Sequence, residues 1–157
     1  MNSDQSDLPV RVIERSLGPE SVINDDSRYS VDGRPIPVAV RPENIDDIRS
    51  ILSESHAHDV KVMPVGGGTR LSLGNAAQTP DIALDTTSLN QPVSINSADL
   101  TATFEAGMTL DSVQSILAEN NQFLAMDSAL SNNATIGGIL ASGTSGPLKW
   151  QYGNPRD

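Results

Sequence analysis

The sequence predicts an α+β protein with helices, strands and hairpins mixed along the chain. Three observations carry this. Two segments, residues 44–58 and 109–121, repeat apolar residues at helical spacing behind a capping residue. Short apolar runs of strand character lie around and between them, at residues 36–40, 60–63 and 82–84. Residues 93–96 and 101–106 flank Ser97-Ala98-Asp99, which reads as a hairpin turn.

Composition narrows the function. The chain has 157 residues, 37% of them hydrophobic and 3% aromatic, so a core must rest on Val, Ile, Leu and Ala. The net charge of −10 argues against nucleic acid and anionic membranes, both of which require Lys and Arg. There is no cysteine, which excludes disulfides, thiolate metal sites and a Cys nucleophile. Two histidines, His56 and His58, are too few for a histidine-rich metal site. No apolar run reaches bilayer-spanning length, and the acidic N-terminus is unlike a signal peptide. The expectation is a soluble, cytoplasmic protein.

The elements follow in order. Residues 1–7 read as a frayed tail, and residues 8–16 as a short helix stopped by Gly18-Pro19. Residues 24–35 are polar and read as a loop. Residues 36–40 form a strand that Arg41-Pro42 ends. Asn44 caps the first long helix, with Asp47 near its positive end and Ile45, Ile48, Ile51 and Leu52 on one face. That helix ends near His56 to His58, where the histidines meet the negative end of the dipole. A strand over 60–63 leads into Gly66-Gly67-Gly68-Thr69-Arg70, and Ile82-Ala83-Leu84 is a short buried strand. After the hairpin, Thr109 caps a helix whose apolar face is Leu110, Val113, Ile116 and Leu117, packed on the same kind of sheet as the first. Residues 125–133 read as loop, Thr135 to Ala141 as small and apolar, and Gly143 onward as having no clear element. No linker divides the chain.

The triple glycine is the most informative feature. With no side chains in the way, its N–H groups can converge on an anion, and Ala134-Thr135-Ile136-Gly137-Gly138 offers a second segment of this type. A plain surface turn remains open as a reading. A P-loop fails, because no lysine lies between Lys61 and Lys149. A Rossmann fingerprint fits Gly66 and Gly68, but Leu71 stands at the third glycine and loop residues follow where a helix should open. Asp85 and Asp127 read as solvated strand-end or loop carboxylates, and Trp150 and Tyr152 as packing or ring-stacking aromatics.

The ordered set of motifs resembles the FAD-binding domain of the vanillyl-alcohol oxidase and p-cresol methylhydroxylase family. The motifs are Pro64 to Thr69, Ile82 to Asp85, Glu105-Ala106-Gly107, Ala134 to Gly138, Gly146 and Tyr152-Gly153. The ending, Ser145-Gly146-Pro147 through Arg156-Asp157, is most similar to the FAD-binding subunit of glycolate oxidase. The resemblance implies an N-terminal extension over 1–35 and an FAD-binding domain over 36–157. That domain would comprise an α/β subdomain and the start of a second, incomplete at the C-terminus. It implies that Gly66, Gly67, Gly68, Thr69 and Arg70 wrap the FAD pyrophosphate. Gly74 and Asn75 would close the far side, and Thr135, Gly138 and Ser142 would line a second wall. The loop has no histidine, so FAD is expected without a covalent bond. No catalytic residue and no metal ligand is assigned.

Two functions follow as expectations. One is part of an FAD-dependent oxidoreductase acting on a small 2-hydroxy acid such as glycolate, with partner subunits passing electrons on and the 157 residues alone binding FAD weakly. The other is a truncated, non-catalytic nucleotide-binding or interaction module. Under the first, Gly67→Val is expected to harm binding more than folding.

Overall fold

The computed structural model describes residues 7–24, 28–74 and 80–155. The chain divides into two compact units, Met1–Val65 with Leu71–Ser88, and Gly66–Arg70 with Leu89–Asp157. No linker marks the division, and the chain passes directly from Ser88 to Leu89.

The first unit contains α1 (Leu8–Leu17), β1 (Val22–Asn24), β2 (Ser30–Val31), β3 (Arg34–Pro35), β4 (Val38–Val40), α2 (Ile45–Ala57), β5 (Val62–Val65) and β6 (Ile82–Asp85). A four-stranded sheet runs β1-β4-β6-β5, with β1 antiparallel to β4, and β4, β6 and β5 parallel. All four residues of β6 are buried, as expected for an inner parallel strand covered on both faces. Strand alternation sorts the core. Val38, Val40, Ile82 and Leu84 pack with Val12 and Ile13 of α1 and Ile51 of α2. Ala39, Ala83 and Val65 share the opposite cluster with Tyr29 and Ile36. Val12, Ile13 and Tyr29, all N-terminal to residue 36, are therefore part of this unit's core.

Local chemistry explains the ends. Pro9 lies in the first turn of α1, and Gly18, with φ of 99°, closes it by donating its N–H to the Glu14 carbonyl. Asn44 caps α2 by accepting from the Asp47 N–H at 2.9 Å, and Asp47 in return accepts from the Glu43 N–H at 2.8 Å.

Two expectations are corrected here. Residues 24–35 are not all loop: β2 and β3 pair around Asp32 (φ 50°) and Gly33 (φ 75°), the two positive-φ residues that a tight Asp-Gly hairpin turn needs. Ile45 and Leu52 do not belong to the buried stripe of α2, being 61% and 46% exposed. The buried face runs through Ile51 and Ser55, with Ile48 packed at its margin, because α1 lies along that side. Arg15 of α1 pairs with Glu54 there, and Ser16 donates to the Ser50 carbonyl.

The second unit contains β7 (Pro92–Asn96), β8 (Thr101–Phe104), α3 (Leu110–Ala118), α4 (Ile136–Ser142) and α5 (Lys149–Tyr152). β7 and β8 form a two-stranded antiparallel ribbon, closed by the Asn96 side chain accepting from the Ala98 and Asp99 N–H groups. Thr109 caps α3 by accepting from the Ser112 N–H. The apolar face of α3 is as expected, but its neighbours are Met108, Leu124, Ile136 and Phe104 of the ribbon, not a four-stranded sheet. α4 and α5 fall where the sequence shows no clear helical pattern. α4 has seven residues and two glycines, and α5 a single turn, so neither displays a stripe.

Candidate functional site

β5 ends at the buried Val65, and the chain enters Gly66–Arg70. Gly68 has φ of 70°, a backbone shape that favours glycine. The two neighbouring glycines are required for a different reason. A Cβ on Gly66 would lie 2.1 Å from Thr135 Oγ1, and one on Gly67 would lie 1.6 Å from the Asn133 carbonyl oxygen. The two side-chain-poor segments singled out in the sequence are thus in direct contact.

None of the five N–H groups from Gly66 to Arg70 has a protein acceptor among the described residues. Gly67 and Gly68 are exposed, and Gly66, Thr69 and Arg70 half-buried. The Arg70 guanidinium touches only the Thr69 carbonyl, at 3.2 Å, and has no carboxylate partner among the described residues. A run of unpaired main-chain donors beside an uncompensated cation is a donor set for an anion.

The second segment behaves differently. Thr135 is buried and caps α4, accepting from the Gly138 N–H at 3.3 Å. The Ile136 N–H donates to the Met108 carbonyl and the Gly137 N–H to the Ala106 carbonyl, each at 2.8 Å. The amides that open α4 are therefore spent inside the protein, and the segment backs the glycine loop without offering donors of its own. Gly137 permits this, since a Cβ there would come within 2.9 Å of Ala106 Cβ. Ser142 sits at the other end of α4, about 10 Å from Thr135 along the axis. Its hydroxyl is occupied by the Gly138 carbonyl and Thr144.

The remaining candidates are dispersed. Gly74, with φ of 113°, belongs to the first unit, and Asn75 lies outside the described residues. Asp127 is a loop anchor, accepting from the Gly146 and Leu148 N–H groups at 2.8 and 3.0 Å. A Cβ on Gly146 would fall 2.4 Å from Asp127 Oδ2, so a larger residue there would displace the carboxylate. Trp150 is exposed and does not pack, with Lys149 over its ring, while Tyr152 meets Phe123 edge to face. His58 caps α2, and its ring touches the Glu54 carbonyl and Arg15.

One cluster was missed. Asp85, read as solvated, is 2% exposed. Its Oδ2 accepts from Tyr29 Oη at 2.6 Å and from Arg41 Nε and Nη2 at 2.9 and 2.8 Å. Its Oδ1 accepts from the Thr87 N–H and hydroxyl at 2.9 and 2.6 Å. Burial opposes ionisation of Asp85, but the bonds from Thr87, Tyr29 and Arg41 outweigh it and hold the carboxyl below its ordinary range. Burial, then the bond to Asp85, raises the Tyr29 phenol, and the bond to Asp85 raises Arg41. The available signal was a strand ending in a carboxylate, with an arginine at the end of another strand; nothing local linked the two.

Comparison with known proteins places this geometry. A family model described as an FAD binding domain matches residues 36–157. D-2-hydroxyglutarate dehydrogenase of Xanthomonas citri pv. viticola is 32% identical over 124 residues, covering 78% of this chain and 26% of that protein. Glycolate oxidase subunit GlcD of Bacillus subtilis is 33% identical over 162 residues, covering 96% of this chain and 34% of that protein. Among solved structures, an alkyldihydroxyacetonephosphate synthase matches with a TM-score of 0.79 at 19% identity, covering 100% of this chain and 35% of that one. p-Cresol methylhydroxylase matches at 0.65 and 18%, covering 89% and 29%. These two structures establish the fold alone. The chain spans about a quarter to a third of the length of the curated relatives it matches. The chain belongs to the FAD binding domain family, and its fold is the one seen in p-cresol methylhydroxylase.

Proposed function

We propose that this chain supplies the pyrophosphate-binding part of a flavin-dependent oxidoreductase that oxidises a small 2-hydroxy acid such as glycolate. The observation that carries this reading is the run of N–H groups from Gly66 to Arg70 that have no acceptor among the described residues. A diphosphate presents several acceptor oxygens and negative charge along one short edge, which suits consecutive main-chain donors. Gly66, Gly67, Gly68 and Thr69 bind through the backbone. Arg70 adds positive charge beside the phosphates in a chain whose net charge is −10. Thr135, Gly138 and Ser142 are assigned to a second wall, in which Thr135 and the Asn133 carbonyl back the loop by contact and Gly138 donates its N–H to the Thr135 hydroxyl.

FAD, when bound, accepts the electrons of the alcohol being oxidised. The chain's own residues hold and orient the diphosphate. With no histidine in the loop, they do so without a covalent bond. The substrate class is supported by the names of relatives, which refer to D-2-hydroxyglutarate, glycolate and D-lactate. The word subunit in one of those names supports partner subunits in an oxidase assembly.

The test is an FAD titration of the isotopically labelled protein followed by amide chemical shifts. The expected result is a movement of the Gly66–Arg70 signals, in a weak-binding regime for these 157 residues alone, with Ile136 and Gly137 responding little. Flavin-induced shifts elsewhere with none at Gly66–Arg70 would overturn the assignment.

A further inference from the structure

We propose that Asp85, with Tyr29 and Arg41, is a positioning cluster that aims the first donor of the glycine loop. This rests on reading that loop as the diphosphate site.

The geometry points to it step by step. In the parallel pairing of β5 with β6, Val65 stands opposite Asp85. The next residue, Thr86, donates both its N–H and its hydroxyl to the Val65 carbonyl, at 2.9 and 3.2 Å. That carbonyl shares a rigid planar peptide unit with the Gly66 N–H, the first of the unpaired donors. Holding the oxygen from one side therefore fixes the direction in which the Gly66 hydrogen points.

Thr86 is itself held on both sides. Asp85 Oδ1 takes the N–H and the hydroxyl of Thr87, closing an Asx-type turn around Thr86. Asp85 Oδ2 is anchored by Tyr29 and by two nitrogens of Arg41. Ser88 then donates to the carbonyl of the buried Pro42, next to Arg41. Four consecutive residues, 85 to 88, are thus each tied to a fixed point. A buried carboxylate with a cationic partner is a poor way to gain stability, since apolar replacements often do as well. It is an effective way to impose direction, because every bond in it is angular.

The experiment compares wild type with Asp85→Asn, Thr86→Val and Thr86→Ser. The readouts are the backbone order parameter and amide shift of Gly66 without flavin, the FAD affinity from shift titration, and the melting temperature. Asp85→Asn is expected to loosen Gly66 and to weaken FAD on the order of tenfold. Thr86→Val, which keeps the N–H bond and loses the hydroxyl, should move Gly66 and the affinity the same way by less, with little change in melting temperature. Thr86→Ser should restore both. Should Asp85→Asn fail to fold, the Thr86 pair decides alone. If both variants lower the melting temperature while Gly66 order and FAD affinity stay at wild-type values, the cluster is merely structural and the proposal falls. If wild type shows no flavin response at Gly66–Arg70, the reading of the loop fails, and the order parameter of Gly66 still decides whether the cluster aims it.

Discussion

The two glycine-bearing segments of the second unit look alike in sequence and use their backbones in opposite ways. Gly66–Arg70 leaves five N–H groups without a protein acceptor among the described residues. Ile136, Gly137 and Gly138 commit theirs to Met108, Ala106 and Thr135. A lack of side chains gives a backbone access to partners, and the carbonyls that distant residues bring alongside decide whether those partners are protein or ligand. Glycine in the first segment also serves two ends: Gly68 for its backbone shape, and Gly66 and Gly67 for close contact with the second segment.

That contrast can be broken most forcefully at Gly67. A Cβ there meets the Asn133 carbonyl, a backbone atom that cannot step aside. Gly67→Val is predicted to cost more than about 4 kcal/mol, read by chemical denaturation. The expectation from sequence, that binding would suffer more than folding, is replaced by this one, and an unchanged unfolding midpoint would restore it. Gly137→Ala should cost about 1–3 kcal/mol, because the added Cβ would lie 2.9 Å from Ala106 Cβ and 3.0 Å from its carbonyl oxygen, so that one segment must shift. A cost near zero would mean that α4 can slide away from Ala106.

The root of the loop should respond to acid. The pKa of Asp85 is lowered in the folded protein, so its contribution to stability is complete above the ordinary carboxylate range and is lost as pH falls through the folded value. Stability measured against pH should therefore drop in acid for wild type and flatten in Asp85→Asn; parallel curves would count against the cluster. Thr135→Ala removes the α4 cap and should cost about 1 kcal/mol. Arg70→Gln is expected to change stability by less than about 0.5 kcal/mol while weakening FAD and reducing the salt dependence of binding. An affinity indifferent to that change would place the arginine outside the site.

Much of this was legible beforehand. The caps at Asn44 and Thr109, the buried strand at Ile82 and the glycine loop after β5 rest on local rules, and local rules are what a sequence displays. What escaped reading depends on remote neighbours. Ile45 and Leu52 have the right spacing for burial, yet α1 covers a different side of α2. Tyr29 sits in a polar stretch and is buried because Asp85, fifty-six residues on, receives its hydroxyl. The β2–β3 hairpin has strands of two residues, too short for any period, and only its Asp-Gly turn announced it. That the two segments are poor in side chains was readable; which of their amides are spent inside the protein was not, since that depends on Ala106 and Met108.

Trp150 has a practical corollary. It is the only indole in the chain, and it is 86% exposed with Lys149 over its face. Its emission already reports water in the native state, so denaturant will produce a nearly flat fluorescence trace, and circular dichroism is the signal to follow instead. The same insensitivity makes the residue a clean beacon for anything that later covers this surface.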